Sequence, residues 1–252
     1  MRHAGIVLAA MLCLSIFGYA QSADELVNKN IQAKGGLDKI KAIKTVRITG
    51  KLSGGGGFTA AMGQENQRPN LVRETFSLQG MTAVTAYDGA TGWQIQPFGG
   101  HKDPEFMGED DLKDLLLDAD FDGPLVDYKE KGHNAELVGH DSVEGTDCFK
   151  VKLSMKNGDV RYYYLDADSF LELKLEIQTT IRGALQETEI YYGDYEKVNG
   201  VYYPFSVEQA PKGSSSRSQI SVEKVEQNVP LDDARFSVPS SKPEAKASPA
   251  GS

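Results

Sequence analysis

The sequence predicts a mainly β protein with a few short helices, built as one domain. Three observations carry that prediction. Apolar and polar residues alternate with a period of two through much of the second half, as in Phe149, Val151, Leu153 and Met155 against Lys150, Lys152, Ser154 and Lys156. Tight-turn pairs, namely Asp88-Gly89, Asn157-Gly158 and Asn199-Gly200, separate such runs. Helical spacing is confined to residues 23–43 and 109–131.

Taken in order, residues 23–43 place Leu26, Val27, Ile31, Leu37, Ile40 and Ile43 on one stripe, and Gly35-Gly36 interrupts it. Two short helices or one bent helix follow. Strands are then expected at residues 46–48, 58–62, 71–78, 81–87 and 93–98, separated by glycine-rich or polar turns. Residues 54–57 are four glycines without the Lys-Ser/Thr of a phosphate loop, so they read as a hairpin tip. Residues 109–119 are helical, with Leu112, Leu115, Leu116 and Ala119 opposite acids, and residues 123–131 suggest a second short helix begun by Pro124. In the second half, Leu171, Leu173, Leu175 and Ile177 alternate with Glu172, Lys174, Glu176 and Gln178, which predicts buried leucines and solvated Lys174 and Glu176.

The first twenty residues have the composition of an export signal. Arg2 and His3 precede an apolar run from Ile6 to Phe17, and Gly18 and Ala20 are small residues placed for cleavage after Ala20. The run is shorter than the ~20 apolar residues of a membrane span. Leu12 before Cys13 does not make a lipid-attachment signal. Periplasmic release follows as the expected localisation, with residues 21–239 as the folded domain and residues 240–252 a disordered tail of Ser, Pro, Ala, Lys and Gly. The formal charge of −9 becomes −10 once Arg2 is removed, since residues 1–20 hold no acid. An acidic chain without a basic stripe argues against nucleic acid and anionic membrane surfaces as partners. Only Cys148 remains after cleavage, so no internal disulfide is available and core packing must supply stability. Its apolar strand neighbours favour an inert thiol.

Roughly ten or eleven strands, each with one apolar face, have only three or four helices to cover them. A flat sheet of that size exposes too much apolar surface. The sheet must curl, either into a closed barrel or into a half-barrel plugged by helices, around an interior open to a hydrophobic ligand. A fully packed core is the bland alternative.

Other constellations point to little chemistry. Asp118, Asp120, Asp122 and Gly123 match the start of a calcium loop, but Lys129 stands where the bidentate Glu belongs, so a solvated acidic loop is preferred and no metal is assigned. His101, His133 and His140 have no ligand spacing. Cys148 and His140 lack a third, orienting residue, so no catalytic residue and no cofactor are assigned. The tyrosines at 162–164, 191, 192, 195, 202 and 203 alternate in direction along strands, so at most half can line an interior.

Three short motifs in order complete the picture: Arg68-Pro69-Asn70-Leu71-Val72-Arg73, then Asp88-Gly89-Ala90-Thr91-Gly92-Trp93 with Pro97-Phe98, then Leu231-Asp232-Asp233-Ala234-Arg235-Phe236 before Pro239. In order and spacing they resemble the LolA/LolB-like superfamily of outer-membrane lipoprotein-sorting proteins. The resemblance implies an unclosed antiparallel half-barrel of about eleven strands whose short helices form a lid over a hydrophobic cavity. It implies a periplasmic carrier that takes lipoprotein acyl chains, or another lipid, from an inner-membrane exporter to an outer-membrane acceptor, as a monomer and without catalysis. It places Arg68 as the arginine that ties lid backbone to the sheet. Leu71, Val72, Trp93, Phe98, Leu112, Leu115 and Leu116 join it as cavity or lid candidates. Val72 departs from the family, which usually carries an aromatic residue there. Two other functions fit the same fold: an envelope sensor that binds lipid and signals to a membrane partner, and, less well, a barrel enzyme, for which the sequence offers no perturbed acid or histidine.

Overall fold

The computed structural model describes residues 21–239; the expected signal at 1–20 and tail at 240–252 lie outside the described residues. The chain opens with helix α1 (Ala23–Lys34), whose Ser22 and Glu25 form a reciprocal capping box, and α2 (Leu37–Ala42). Gly35 separates them at φ 137°, a conformation that suits glycine; a Cβ there would lie 2.5 Å from the Gly200 carbonyl.

Thirteen strands follow: β1 (Thr45–Ser53), β2 (Thr59–Gln67), β3 (Leu71–Leu78), β4 (Met81–Tyr87), β5 (Gly92–Gln96), β6 (His101–Phe106), β7 (Asn134–Val143), β8 (Thr146–Ser154), β9 (Val160–Asp166), β10 (Glu172–Ile181), β11 (Ala184–Val198), β12 (Val201–Pro211) and β13 (Ser218–Gln227). Helix α3 (Glu109–Ala119) lies between β6 and β7. All strands join one antiparallel sheet in the order β6-β5-β4-β3-β2-β1-β13-β12-β11-β10-β9-β8-β7. The sheet is therefore not closed, and β6 and β7 are its free edges. The first meander runs outward from β1 to β6. The second starts at the far edge and returns until β13 pairs with β1. Residues 107–133 must then travel from one edge of the sheet to the other, and they do so over one face. Topology alone supplies a covering segment.

Strand alternation sorts side chains onto two faces. One face, toward the helices, carries the main core, where Leu26, Val27 and Ile31 of α1 pack with Val151, Leu153, Tyr163, Leu165 and Leu175. The opposite face carries Cys148, Val143 and Tyr164 in one cluster and Val84, Ala86 and Trp93 in another. Cys148 is fully buried there, and burial pushes its thiol up from the ordinary value.

Several expectations need correction. The sheet has thirteen strands rather than about eleven, and the polar edge strand β6 carries no alternation that would mark it. Residues 93–98 are not one strand: β5 stops at Gln96, and Pro97–Gly99 form a single 3-10 turn. Residues 123–131 are a chain of turns and not a helix. Asp127 at φ 52° breaks the helical path, and Lys131 bonds back to Asp120 at 2.6 Å and to the Gly123 carbonyl at 2.8 Å. Finally, a bulge between Glu172 and Lys174 reverses part of β10. Leu173 therefore packs with Tyr162 and Tyr191 on the outer face, and Glu172 turns inward. Lys174 and Glu176 are not solvated either. Their side chains are about 12% and 10% exposed and pair at 2.9 Å among tyrosines.

Candidate functional site: a cavity under a latched crossing segment

The inner face does not meet the helices everywhere. A cavity of about 910 Å³ remains between the sheet and the crossing segment. Strand β1 contributes Val46 and Ile48, β10 contributes Leu175 and Ile177, β11 contributes Ile190 and Tyr192, and the cover contributes Leu117 and Phe121. Asn66 and Arg161 are among its polar members. The size lies within the roughly 300–1,000 Å³ of small-molecule sites, and the lining combines a majority of apolar surface with polar side chains such as Gln64, Gln186 and Gln209. A smaller chamber of about 180 Å³ adjoins it, sharing Arg161, Leu175, Tyr192 and Pro124.

The cover is fixed by side chains at several places, among them Asn66 of β2, whose amide donates to the Asp118 carbonyl at 2.7 Å. Arg68, at the end of β2, donates from Nε to the Ile43 carbonyl at 2.6 Å and from Nη2 to the Ile40 carbonyl at 3.1 Å. Its guanidinium also grips the Asp122 carboxylate, with Nη1 at 3.0 Å and a second bond from Nη2, and lies 4.4 Å over the Phe121 ring. One planar group thus binds the sheet to α2 and to the crossing segment. Lys41 of α2 adds bonds to Asp122 at 2.7 Å and Asp127 at 2.6 Å. Further on, Lys129 reaches Asp24 of α1 at 2.6 Å, and the Tyr128 hydroxyl donates to the same carboxylate. Burial would raise the Asp122 carboxyl, but hydrogen bonds from Arg68 and Lys41 outweigh it and hold the group below the ordinary range. Asp120 and Asp122, the middle of the calcium-like run, are thus occupied by Lys131, Arg68 and Lys41.

The eight residues singled out in the sequence fall into separate places, and none lines the large cavity. Val72, Leu112 and Leu115 come together where α3 packs on β3, with Ala119, so they brace the cover. Leu116 points away and is about 42% exposed. Leu71 packs beside Gly89 in the β4–β5 turn. Trp93 is on the outer face, because it stands in register with Ala86 and Arg73, opposite in direction to Val72. There its indole donates to the Phe236 carbonyl at 2.6 Å, while neighbouring Arg235 pairs with Glu65 at 2.8 Å. The second and third motifs therefore meet as a clasp on the back of the sheet. Phe98 leaves the strand with the 3-10 turn and packs edge-on to Phe76, 5.5 Å between ring centres, at the rim. Arg68 alone of the eight holds the latch.

Sequence reasoning passed over Arg161 as a lining residue, whereas Tyr192, Tyr202 and Tyr203, from the alternating tyrosine set, do line the cavity. The signal was present in β9: Arg161, Tyr163 and Leu165 share one direction, so an arginine stands in an otherwise apolar, inward-facing set. Burial pushes the Tyr163, Tyr192 and Tyr195 phenols up, so they stay neutral donors. Among the described residues, no group of His, Cys, Asp and Glu could hold a metal ion, and no helix is long and apolar enough to cross a membrane.

A family model described as "uncharacterized protein" matches residues 86–240. No curated protein matches the chain. Solved structures with the same fold include a DUF1329 family protein from Desulfovibrio piger, 14% identical, covering 85% of this chain and 97% of that one with a TM-score of 0.60. A LolA superfamily protein from Nitrosomonas europaea is 11% identical and covers 86% and 98% with a TM-score of 0.57. A domain named for outer membrane lipoprotein sorting, from Vibrio parahaemolyticus, is 12% identical and covers 83% and 97% with a TM-score of 0.55. Because the family model spans more than half of its length, the chain belongs to that family, and the fold it carries is the LolA-like one to which its motifs pointed.

Proposed function

We propose that the protein is a non-catalytic binder and carrier of acyl chains, sheltering them between the sheet and the crossing segment. The observation that carries this reading is the 910 Å³ cavity, lined mainly by aliphatic and aromatic side chains with polar ones among them, and covered by a segment fastened through Arg68. Apolar burial at roughly 25 cal/mol per Å² makes such a space a sink for hydrocarbon. A latch of ion pairs and carbonyl bonds supplements the apolar packing of Leu115, Leu125 and Val126 under the cover, so the cover can open locally without unfolding the sheet. The export-type N-terminus and the naming of the Vibrio domain for lipoprotein sorting favour an envelope setting, with chains received from one membrane and delivered to another.

The test uses a fluorescent fatty-acyl probe with the mature protein and with an Ile190→Trp variant, in which the indole fills the cavity. Wild-type protein should bind the probe and release it to acceptor vesicles, and the variant should fold but bind poorly. A wild-type protein that does not bind the probe, or a folded variant that binds it equally, would overturn the reading.

A further inference from the structure

Four charged side chains, Lys34, Asp122, Arg161 and Glu172, stand in the otherwise largely apolar wall of the smaller chamber. Asn30 and Ile31 of α1, residues 123–126 of the crossing segment, and inward residues of β9 to β12 enclose it. Its two carboxylates already have cations. Glu172 is bonded by Lys34 at 3.1 Å, and Asp122 is bonded by Arg68 and Lys41. Its remaining cation has none. Arg161 is 6% exposed, it faces both the chamber and the large cavity, and its Nε has no hydrogen-bond partner. The Tyr163 hydroxyl, on the same side of β9 and 4% exposed, has none either. Among the described residues, no carboxylate stands within 4.0 Å of Arg161 to form an ion pair.

A buried guanidinium without a counter-charge is costly, and removing one partner of a buried pair is among the larger destabilising changes a protein meets. Two unpartnered donors on one strand, directed into a chamber at the end of a hydrocarbon-sized cavity, form half of a pair. The missing half is an acceptor-only anion. A planar guanidinium fork matches a carboxylate in two-point contact. On the strength of the acyl-binding reading above, we propose that this protein takes free fatty acids head-first, with the carboxylate held by Arg161 and Tyr163 in the small chamber and the chain lying in the large cavity. Lys34, also lining the chamber and paired with Glu172, keeps its approach electrically neutral.

Three ligands of equal chain length separate the terms: palmitate, hexadecanol and hexadecyl phosphate, each measured by displacement of a fluorescent acyl probe. Wild-type protein should bind palmitate about 10–100-fold more tightly than hexadecanol, the range expected for hydrogen bonds to a charged group. Arg161→Met should bring palmitate down to the level of hexadecanol and leave hexadecanol unchanged. Tyr163→Phe should give a smaller loss in the same direction. If Arg161→Met does not fold, wild-type protein alone decides. Carboxyl-labelled palmitate followed by carbon NMR should keep its ionised shift in the complex to lower pH than in solution. Equal affinity for palmitate and hexadecanol overturns the inference while leaving acyl binding in place. Tighter binding of hexadecyl phosphate overturns the choice of a carboxylate head. Failure of all three ligands overturns the acyl-binding reading with it.

Discussion

Replacing Arg68 by Leu removes two bonds to carbonyls of the α2 segment and the bidentate grip on Asp122. The Asp122 side chain is about 7% exposed and keeps only Lys41 at 2.7 Å, itself half exposed on α2. A charge-assisted hydrogen bond contributes about 1.5–3 kcal/mol, and stripping one partner from a fully buried ion pair costs about 3–5 kcal/mol. The Arg68 side chain is 26% exposed, so water recovers part of that loss. An overall penalty of about 2–4 kcal/mol follows. Most of it should appear locally, as faster hydrogen exchange in residues 37–43 and 120–131, with strands β8 to β10 protected as before. The pH dependence has a definite sign. The Asp122 carboxyl is depressed in the folded protein, so its stabilising contribution is complete above the ordinary carboxylate value of about 3.9 and fades as pH falls through the folded value. The stability gap between wild type and Arg68→Leu should therefore be widest near neutrality and narrow in acid. Denaturant melts of Arg68→Leu, Asp122→Asn and the double variant supply the coupling energy, expected at about 1–3 kcal/mol. Zero coupling, or unchanged exchange in both segments, would refute the latch.

Two further outcomes test the assignment of faces and the packing of α1. Leu153→Ala, at a fully buried inner position, should lower stability by about 2–5 kcal/mol, whereas Lys152→Ala should change it by no more than about 0.5 kcal/mol; equal losses in urea melts would show that the faces are misassigned. Gly35→Ala must adopt φ 137° and thrust a Cβ to 2.5 Å from the Gly200 carbonyl. It should cost about 1–3 kcal/mol in the same melts, and a neutral result would separate α1 from the β11–β12 hairpin.

Much of the sheet was legible because alternation is a direct imprint of a one-sided core. Phe149, Val151 and Leu153 face inward as their spacing requires, and the interruption at Gly35-Gly36 divides the first helical stretch where expected. What escaped was local or long-range. A bulge is one residue wide and leaves no compositional mark, so Leu173 was placed on the wrong face, while Glu176 lies on the expected face but is buried there by Lys174 and Tyr164. Edge strand β6, with Lys102, Asp103, Pro104 and Glu105, is polar because an edge must resist pairing. The motif residues were legible as important but not in their roles. Trp93 looks like cavity material, yet register turns it to the back, where its indole donates to the Phe236 carbonyl. Arg161 was hidden by the opposite habit, since a basic residue in a strand is usually read as solvated.

The pairing of β1 with β13 at the centre of the sheet also bears on the order in which the protein can assemble. Each meander consists of neighbour-to-neighbour hairpins that can form as they are synthesised, but the seam between them joins Val46 to Gln227, nearly the full described length apart. Closing such a distant contact is entropically slow. Until residues 218–227 arrive, β1 and β12 each present an unpaired backbone edge, and the two half-sheets share no ladder. The last strand is therefore the keystone of assembly. A nascent chain halted before it holds two sticky sheets, vulnerable to proteases and to one another, whereas the finished chain leaves open only its charged and bulged margins.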